Sequence, residues 1–319
     1  MISNRTGSLL VITLWLVTIL SVLAVAIGRY LSTEVRITRY RQAQEQAKAL
    51  ARSGVYVALQ RLAQDQQETY DWLGDDWAVI LTTATPPHTI TITITDEERK
   101  LNINAVTAPQ LESLVGTGPL PQDIVDYIDQ QNTGERSVDE PPYFQKNAPV
   151  ATLEELRAIP GMTEPVFAQL QHATAAFPAG TTAPTVNINT AEPEVLLAIA
   201  GPTLDNEPSQ TIISALIASR PGLNGILGDA DDCKATTAIT SNVNAAAIEL
   251  GDCALGGREQ PFITLLSKPN SNFSVSSSTF RITVDALVQP QQVGYHVVAV
   301  VQRPAAQGQE PKIVAWREG

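Results

Sequence analysis

The chain has 319 residues, a hydrophobic fraction of 44% and a charged fraction of 17%, with 33 acidic and 21 basic side chains for a net charge of −12. That length suits two compact domains, and the composition excludes both a disordered chain and a coiled coil throughout. The acidic balance argues against wholesale nucleic-acid binding, which needs clustered Lys and Arg, and two cysteines with three histidines leave little for a metal cluster or a Cys/His catalytic site.

The chain opens with MISNRTG, a polar leader carrying Arg5, and Leu9 to Ile27 then runs without a charge. From Ser8 to Gly28 an α-helix is roughly 32 Å long, enough to span a hydrocarbon core. Ala24, Ala26 and Gly28 imitate a signal-peptidase site, but no helix stop follows, and no proline occurs from Ser8 to Asp65. Instead Tyr40, Ala43, Ala47, Leu50, Gly54, Ala58 and Leu62 fall at steps of three or four, the pattern of one apolar helix face. This predicts a single helix of roughly 85 Å. Its stripe needs a sheet or a neighbouring helix, and partner helices are expected along Tyr40 to Leu62.

Thr89 to Thr95 reads TITITIT, a half-buried strand with Ile90, Ile92 and Ile94 on one face. The next strand signals are Phe280 to Val288, Tyr295 to Val301 and Lys312 to Trp316. A gap of some 180 residues between strands of one sheet must be a domain. That segment holds an internal repeat: KLNINAVTAPQLESLVG from Lys100 and TVNINTAEPEVLLAIAG from Thr185, offset by 85 residues. In each copy an amphipathic helix follows Asn-x-Asn, and the second Asn, Asn104 or Asn189, is expected to cap it or an adjoining turn. Further helices are expected at Pro121 to Gln130 and Pro208 to Ser219, and Leu153 to Leu170 as two helices joined at Pro160-Gly161. FPAGTTAPT, Phe177 to Thr185, reads as the linker between copies.

The fold class expected is α+β. A long N-terminal helix packs on a small antiparallel sheet, with a large all-helical domain inserted between strands. The divisions are a leader over 1–7, a transmembrane helix over 8–28, and the amphipathic helix with the first part of the sheet domain over 29–100. The insert spans 101–270, with repeats at about 101–178 and 185–260, and closing strands occupy 271–319.

The polar leader ending in Gly7, the apolar run directly after it and the long emergent helix resemble the type IV pilin superfamily. The resemblance implies prepilin-peptidase cleavage between Gly7 and Ser8 and methylation of the Ser8 amine. The family usually has Glu at the fifth mature position, here Ile12. There the carboxylate meets the N-terminal amine of the adjacent subunit, since a charge in lipid needs a partner. Its absence is typical of the K-type minor pseudopilin of type II secretion systems. LNIN with its helix, DIVDYID (Asp123 to Asp129), PPY (Pro141 to Tyr143), LEELRAIPGM, the second NINTA and FSVSSSTFRITVDALV (Phe273 to Val288) resemble that same family in order. Leu204 to Ser278 otherwise carries no recognised motif.

The resemblance implies a tip position in the pseudopilus, where the protein initiates or caps assembly for export of folded proteins. It implies I-type and J-type minor pseudopilins as partners, with H-type and major pseudopilins, prepilin peptidase and inner-membrane lipid. The N-terminus is expected in the cytoplasm and the body in the periplasm. Arg29, Arg36, Arg39 and Arg41 beyond the span oppose this orientation under the positive-inside rule, and the prepilin-like leader overrules them. In an oxidising periplasm Cys233 and Cys253 are expected to pair, against the alternative of two free thiols. Calcium is the one cofactor candidate; the resemblance implies sites in the insert, with Asp129, Glu135 and Asp139 as ligands, against the alternative of a solvated acidic surface. Asp229, Asp231 and Asp232 form a second acidic run.

Two other classes compete with this reading. NINTA and LRAIPGM also resemble helix-hairpin-helix DNA-binding modules, giving a DNA-uptake pilin-like protein as the alternative function. No Lys or Arg occurs between the hairpin and Arg220, so nucleic acid is not an expected partner. His88, His172 and His296 stand in unrelated contexts outside any nucleophile elbow, HExxH or P-loop, so no enzyme is expected.

Overall fold

The computed structural model describes residues 6–65, 69–128, 146–177, 186–204, 207–222, 224–228, 232–235, 273–304 and 310–319. Helix α1 is continuous over Thr6–Gln64. Its first part, Leu9 to Gln42, is exposed throughout, and burial begins at Ala43. Ala43, Ala47, Ala51, Val55, Ala58 and Leu62 are then buried at helical spacing. Small residues dominate this stripe, which lets the helix backbone lie close on a sheet.

That sheet has five antiparallel strands. Strand β1 (Leu81–Thr85) turns through Pro86-Pro87 into β2 (His88–Asp96). β1 has no counterpart in the sequence-based expectation, because four of its five side chains are exposed and nothing alternates. β2 then pairs not with the next strand in sequence but with β9 (Thr279–Val288), from His88↔Val288 to Asp96↔Phe280. β10 (Val293–Gln302) and β11 (Lys312–Glu318) complete the order β1-β2-β9-β10-β11. The sheet core is Ile92, Ile94, Phe280, Ile282, Val284, Val297, Ala299 and Val301, closed by Trp77 edge-on against Phe280.

The stripe on α1 meets this sheet, and partner helices do not find it free. The expectation of a partner-recognition face along Tyr40 to Leu62 is thereby corrected: the stripe from Ala43 to Leu62 is covered by the chain's own strands, and only Tyr40 stands exposed. The apolar residues at these positions are satisfied within the chain, and burial of this area is what holds α1 to the body.

Between β2 and β9 lies the insert, in two copies of one plan. In the first, β3 (Leu101–Asn102) leads to α2 (Ala108–Val115) and α3 (Leu120–Ile128). A 3₁₀ helix, Leu153–Ala158, follows in place of the first of the two expected helices. Beyond Gly161, at φ +84°, α4 (Glu164–Ala173) ends in β4 (Thr174–Ala175), which pairs parallel with β3. In the second copy β5 (Val186–Asn187) leads to α5 (Pro193–Ala200). A short antiparallel pair, β6 (Thr203–Leu204) with β7 (Glu207–Pro208), precedes α6 (Ser209–Ser219). β8 (Phe273–Ser274) closes the copy by pairing parallel with β5. This pairing carries the second copy past 260 to Phe273–Ser274. Both copies share one apolar core, including Ile103, Leu111, Ile124, Leu170, Ile188, Leu196 and Ile213.

Candidate assembly site

The polar signature of the repeat has a definite job in each copy. The first Asn turns the chain: Asn102 Oδ1 accepts from Asn104 N at 2.9 Å, and Asn187 Oδ1 from Asn189 N at 3.0 Å. The second Asn does not cap the following helix, contrary to expectation. Asn104 instead exchanges two hydrogen bonds with Val150, accepting from its N at 2.7 Å and donating to its O at 3.1 Å. Asn189 does the same with Ala235, at 2.8 and 2.9 Å. Both partners lie 46 residues on. The cap of α2 is Thr107, with Gln110 returning the bond. A buried amide bridging distant backbone satisfies groups that a helix cap would leave unpaired.

The insert and the sheet domain meet at a buried polar junction. Asp96, at the end of β2, accepts from Thr190 Oγ1 at 2.5 Å, Ser277 Oγ at 2.7 Å and Asn187 Nδ2 at 3.3 Å through Oδ2, and from Glu98 N at 2.8 Å through Oδ1. Burial pushes its carboxyl up to about 7 against the pull of these hydrogen bonds. Beside it, Arg303 donates to Asp65 at 3.0 Å and to Asp71 at 2.5 Å, while Asp71 also accepts from Ser277 N at 2.6 Å. Asp65 is pushed up to about 7 by burial first, then by Asp75 and Asp71, against Arg303. Asp71 N donates to Val275 O at 2.7 Å, and its own carbonyl accepts from Asn187 and Asn189. Apart from Glu98, none of these partners is a sequence neighbour, and polar residues in loops otherwise read as solvated surface; no local signal marks them.

The junction fixes the insert at one end of the sheet. The start of the packed stripe, Ala43 and Ala47, lies on Val288 and Val293, where β9 turns into β10. Its far end, with Leu62, packs in the cluster of Trp77 and Phe280. The insert leaves after Asp96 and returns at Thr279, with Glu97 N bonded to Thr279 O at 3.0 Å. The insert thus departs from the end of the sheet opposite to the exposed apolar run.

That run, within Leu9–Gln64, is the one helix among the described residues long and apolar enough to cross a membrane. Gly7 and Ser8 lie in its first turns. Ile12 is 61% exposed and offers an aliphatic surface where a carboxylate would carry charge. Asp129, Glu135 and Asp139 lie outside the described residues, as do Asp229 and Asp231. Asp232 is described; its Oδ2 accepts from Gly228 N at 2.6 Å. Cys233 is disulfide-bonded, and the chain's other cysteine, Cys253, lies outside the described residues. The hairpin at Pro160-Gly161 has Arg157 nearby, which pairs with Glu164 at 2.7 Å and stacks 4.1 Å over Phe167. His172 contacts Glu194 and His296 contacts Asp285, both on the surface.

Residues 100–179 match the family described as Type II secretion system (T2SS), protein K, and residues 6–55 match the family described as PilX N-terminal. No curated protein sequence matches the chain. Among solved structures, a chain of the crystal structure of the GspK-GspI-GspJ complex from the type 2 secretion system of enterotoxigenic Escherichia coli matches with a TM-score of 0.60. The identity is 18%, over 88% of this chain and 99% of that one. The fold is shared along nearly the whole length. The K-type resemblance read from the order of motifs agrees with the family match over residues 100–179, and the expected fold is the one shared with that solved chain.

Proposed function

We propose that the chain works as the K-type minor pseudopilin at the tip of a type II secretion pseudopilus. There it initiates or caps the filament that moves folded proteins across the outer membrane. The role is structural. The observation that supports it best is the position of the insert, whose 97–278 segment leaves the sheet domain at the end opposite to the apolar run of α1. A mass of that size above the sheet leaves no room for a further subunit stacked in the same orientation. Ile12 acts in the same sense, since it offers no carboxylate to a neighbour's terminal amine.

In this reading residues 8–28 cross the inner membrane with the N-terminus in the cytoplasm and the body in the periplasm. Prepilin peptidase cuts between Gly7 and Ser8, and the Ser8 amine is methylated. I-type and J-type subunits are the neighbours, by analogy with the complex that shares the fold, and H-type and major pseudopilins lie below. Neighbours reach α1 by its exposed side, because the Ala43 to Leu62 stripe is already covered.

The test places an electron-dense label on the insert and images assembled pseudopili. Label at one end of each filament is the expected result. Label distributed along the shafts overturns the tip position.

A further inference from the structure

Between Gly28 and Gln42, α1 carries Arg29, Arg36, Arg39 and Arg41 against the single acid Glu34, a local charge of +3 in a chain of net −12. The helix is exposed throughout this stretch. None of the four guanidiniums forms an ion pair among the described residues. Arginine keeps its charge at any physiological pH, so the patch is fixed. At roughly 100° per residue, Arg29, Arg36 and Arg39 fall within about 80° on one face, and Glu34 points roughly 140° or more away from each. Ser32 and Thr33, between Arg29 and Arg36 in the chain, donate their hydroxyls to Arg29 O at 2.9 and 3.0 Å. Small side chains folded back on the helix leave the space between the two guanidiniums open.

Height along the helix is the second observation. The charge-free apolar run ends at Ile27. Arg29 then stands roughly 3 Å beyond it and Arg36 roughly 14 Å. A headgroup layer is about 5–8 Å thick on each side of the hydrocarbon core, so Arg29 lies within it. Arg36 lies above it, but helix side chains lean toward the N-terminus, here back toward the bilayer, and a long arginine stem reaches further in the same direction. Attraction to an anionic surface also extends about 8–10 Å into solution, which takes in Arg36 and fades toward Arg39 and Arg41.

We propose that Arg29 and Arg36, with a weaker contribution from Arg39, bind the phosphates of anionic lipid headgroups where α1 leaves the bilayer. The guanidinium fork matches phosphate oxygens in pairs, and the empty space over Ser32 and Thr33 admits a headgroup between two such forks. The proposal rests on the placement of residues 8–28 in the bilayer and goes beyond the assembly role. It also gives the arginines a use in an orientation that the positive-inside rule disfavours: anionic lipid offsets the charge on the side where the body lies. The subunit is thereby held at a defined depth until it is drawn out of the membrane.

The experiment reconstitutes the full chain in bilayers containing a trace of spin-labelled phosphatidylglycerol or spin-labelled phosphatidylcholine and compares the fractions of each label immobilised at the protein. The expected result is a preference of roughly fivefold for phosphatidylglycerol at low salt, collapsing at about 0.5 M salt. Arg29→Gln with Arg36→Gln, which keeps helix propensity nearly constant, removes most of the preference. Arg29→Lys with Arg36→Lys retains most of it, as does Arg5→Gln before the span. Alkaline extraction of the same bilayers checks the span. A chain stripped from the bilayer overturns the span and the proposal together, and a retained chain without preference overturns the proposal alone. Preference that survives the double glutamine variant overturns it too, and leaves the arginines to an acidic face on a neighbouring subunit.

Discussion

A Cβ built on Gly54 would stand 2.6 Å from Val284 Cγ1 and 3.3 Å from its Cγ2. The helix α1 touches β9 here backbone to side chain, and Val284 is fully buried, so it has nowhere to move. Ala is worth up to about 1 kcal/mol over Gly in a helix interior, but overpacking a tight contact costs about 1–3 kcal/mol. Gly54→Ala is expected to destabilise, and Gly54→Val more so. Chemical denaturation of the wild type, Gly54→Ala, Val284→Ala and the double variant gives the coupling. Val284→Ala in the Gly54→Ala background should recover part of the loss.

The paired asparagines make a second prediction. Asn104→Ala strands the N–H and C=O of Val150 and the C=O of Ala176, and Asn189→Ala strands those of Ala235. Each should cost about 2–3 kcal/mol, since buried groups left without partners carry their full desolvation penalty. Asn→Asp should fail to rescue either site, because it cannot donate to the carbonyls. Equal losses at both positions, read by urea unfolding, would show that the copies are equivalent in energy as well as in plan.

What is legible in the sequence is periodic. The 3.6 period of Ala43 to Leu62 and the alternation of Ile90 to Ile94 and Phe280 to Val288 are direct prints of one-sided burial. The repeat is legible because Asn-Ile-Asn recurs with its helix. β1 is not, since Thr82 to Thr85 face solvent and obey no alternation. Val150 and Ala235 look like any apolar residues, and nothing local says that a distant amide grips their backbone. Asp96, Asp71 and Arg303 carry charge, which in a loop or at a strand end reads as surface. Their burial depends on partners such as Ser277, 181 residues from Asp96 and 206 from Asp71.

Stability should depend on pH through Asp96. In the unfolded chain its carboxyl loses its proton near 3.8, and in the fold near about 7, so the folded state holds the proton more tightly. That contribution is whole below about 3.8 and is lost as pH rises through about 7. Glu98 next to it is raised by burial in the same sense, and Asp65 moves the same way. Tm in chelator should fall between about pH 5.5 and about pH 8.5, and Asp96→Asn should flatten part of that slope. A Tm that climbs over this range would contradict the assignment.

The disulfide at Cys233 is expected to include Cys253, closing a loop of about 21 residues and contributing roughly 3 kcal/mol. The segment it anchors reaches the junction. Cys233 N donates to Arg220 O at 3.1 Å, and Lys234 Nζ lies 3.7 Å over the Trp72 ring. Reduction should lower Tm by about 6–12 °C, a shift Cys233→Ser should reproduce. Unchanged migration on non-reducing gels after reduction would argue against the pairing.

At the other end of the chain, Gly7→Ala should leave an uncleaved precursor and abolish secretion, as checked by intact mass. Ile12→Glu should be processed normally and should impair secretion less than removal of the insert. Complete loss of export with Ile12→Glu would count against a role for the missing carboxylate.

The two Asn-centred copies keep one bridge distance and differ in the distance to their closing contact. Each spans 46 residues from its second Asn to the bridged backbone, but the closing contact comes 72 residues on in the first copy and 86 in the second. Because the bridge distance is the same in both, the net difference falls beyond the bridged backbone, between Ala235 and Val275 in the second copy. A change of chain length beyond the bridge leaves both asparagine grips in register, so grafts into the insert are best begun there.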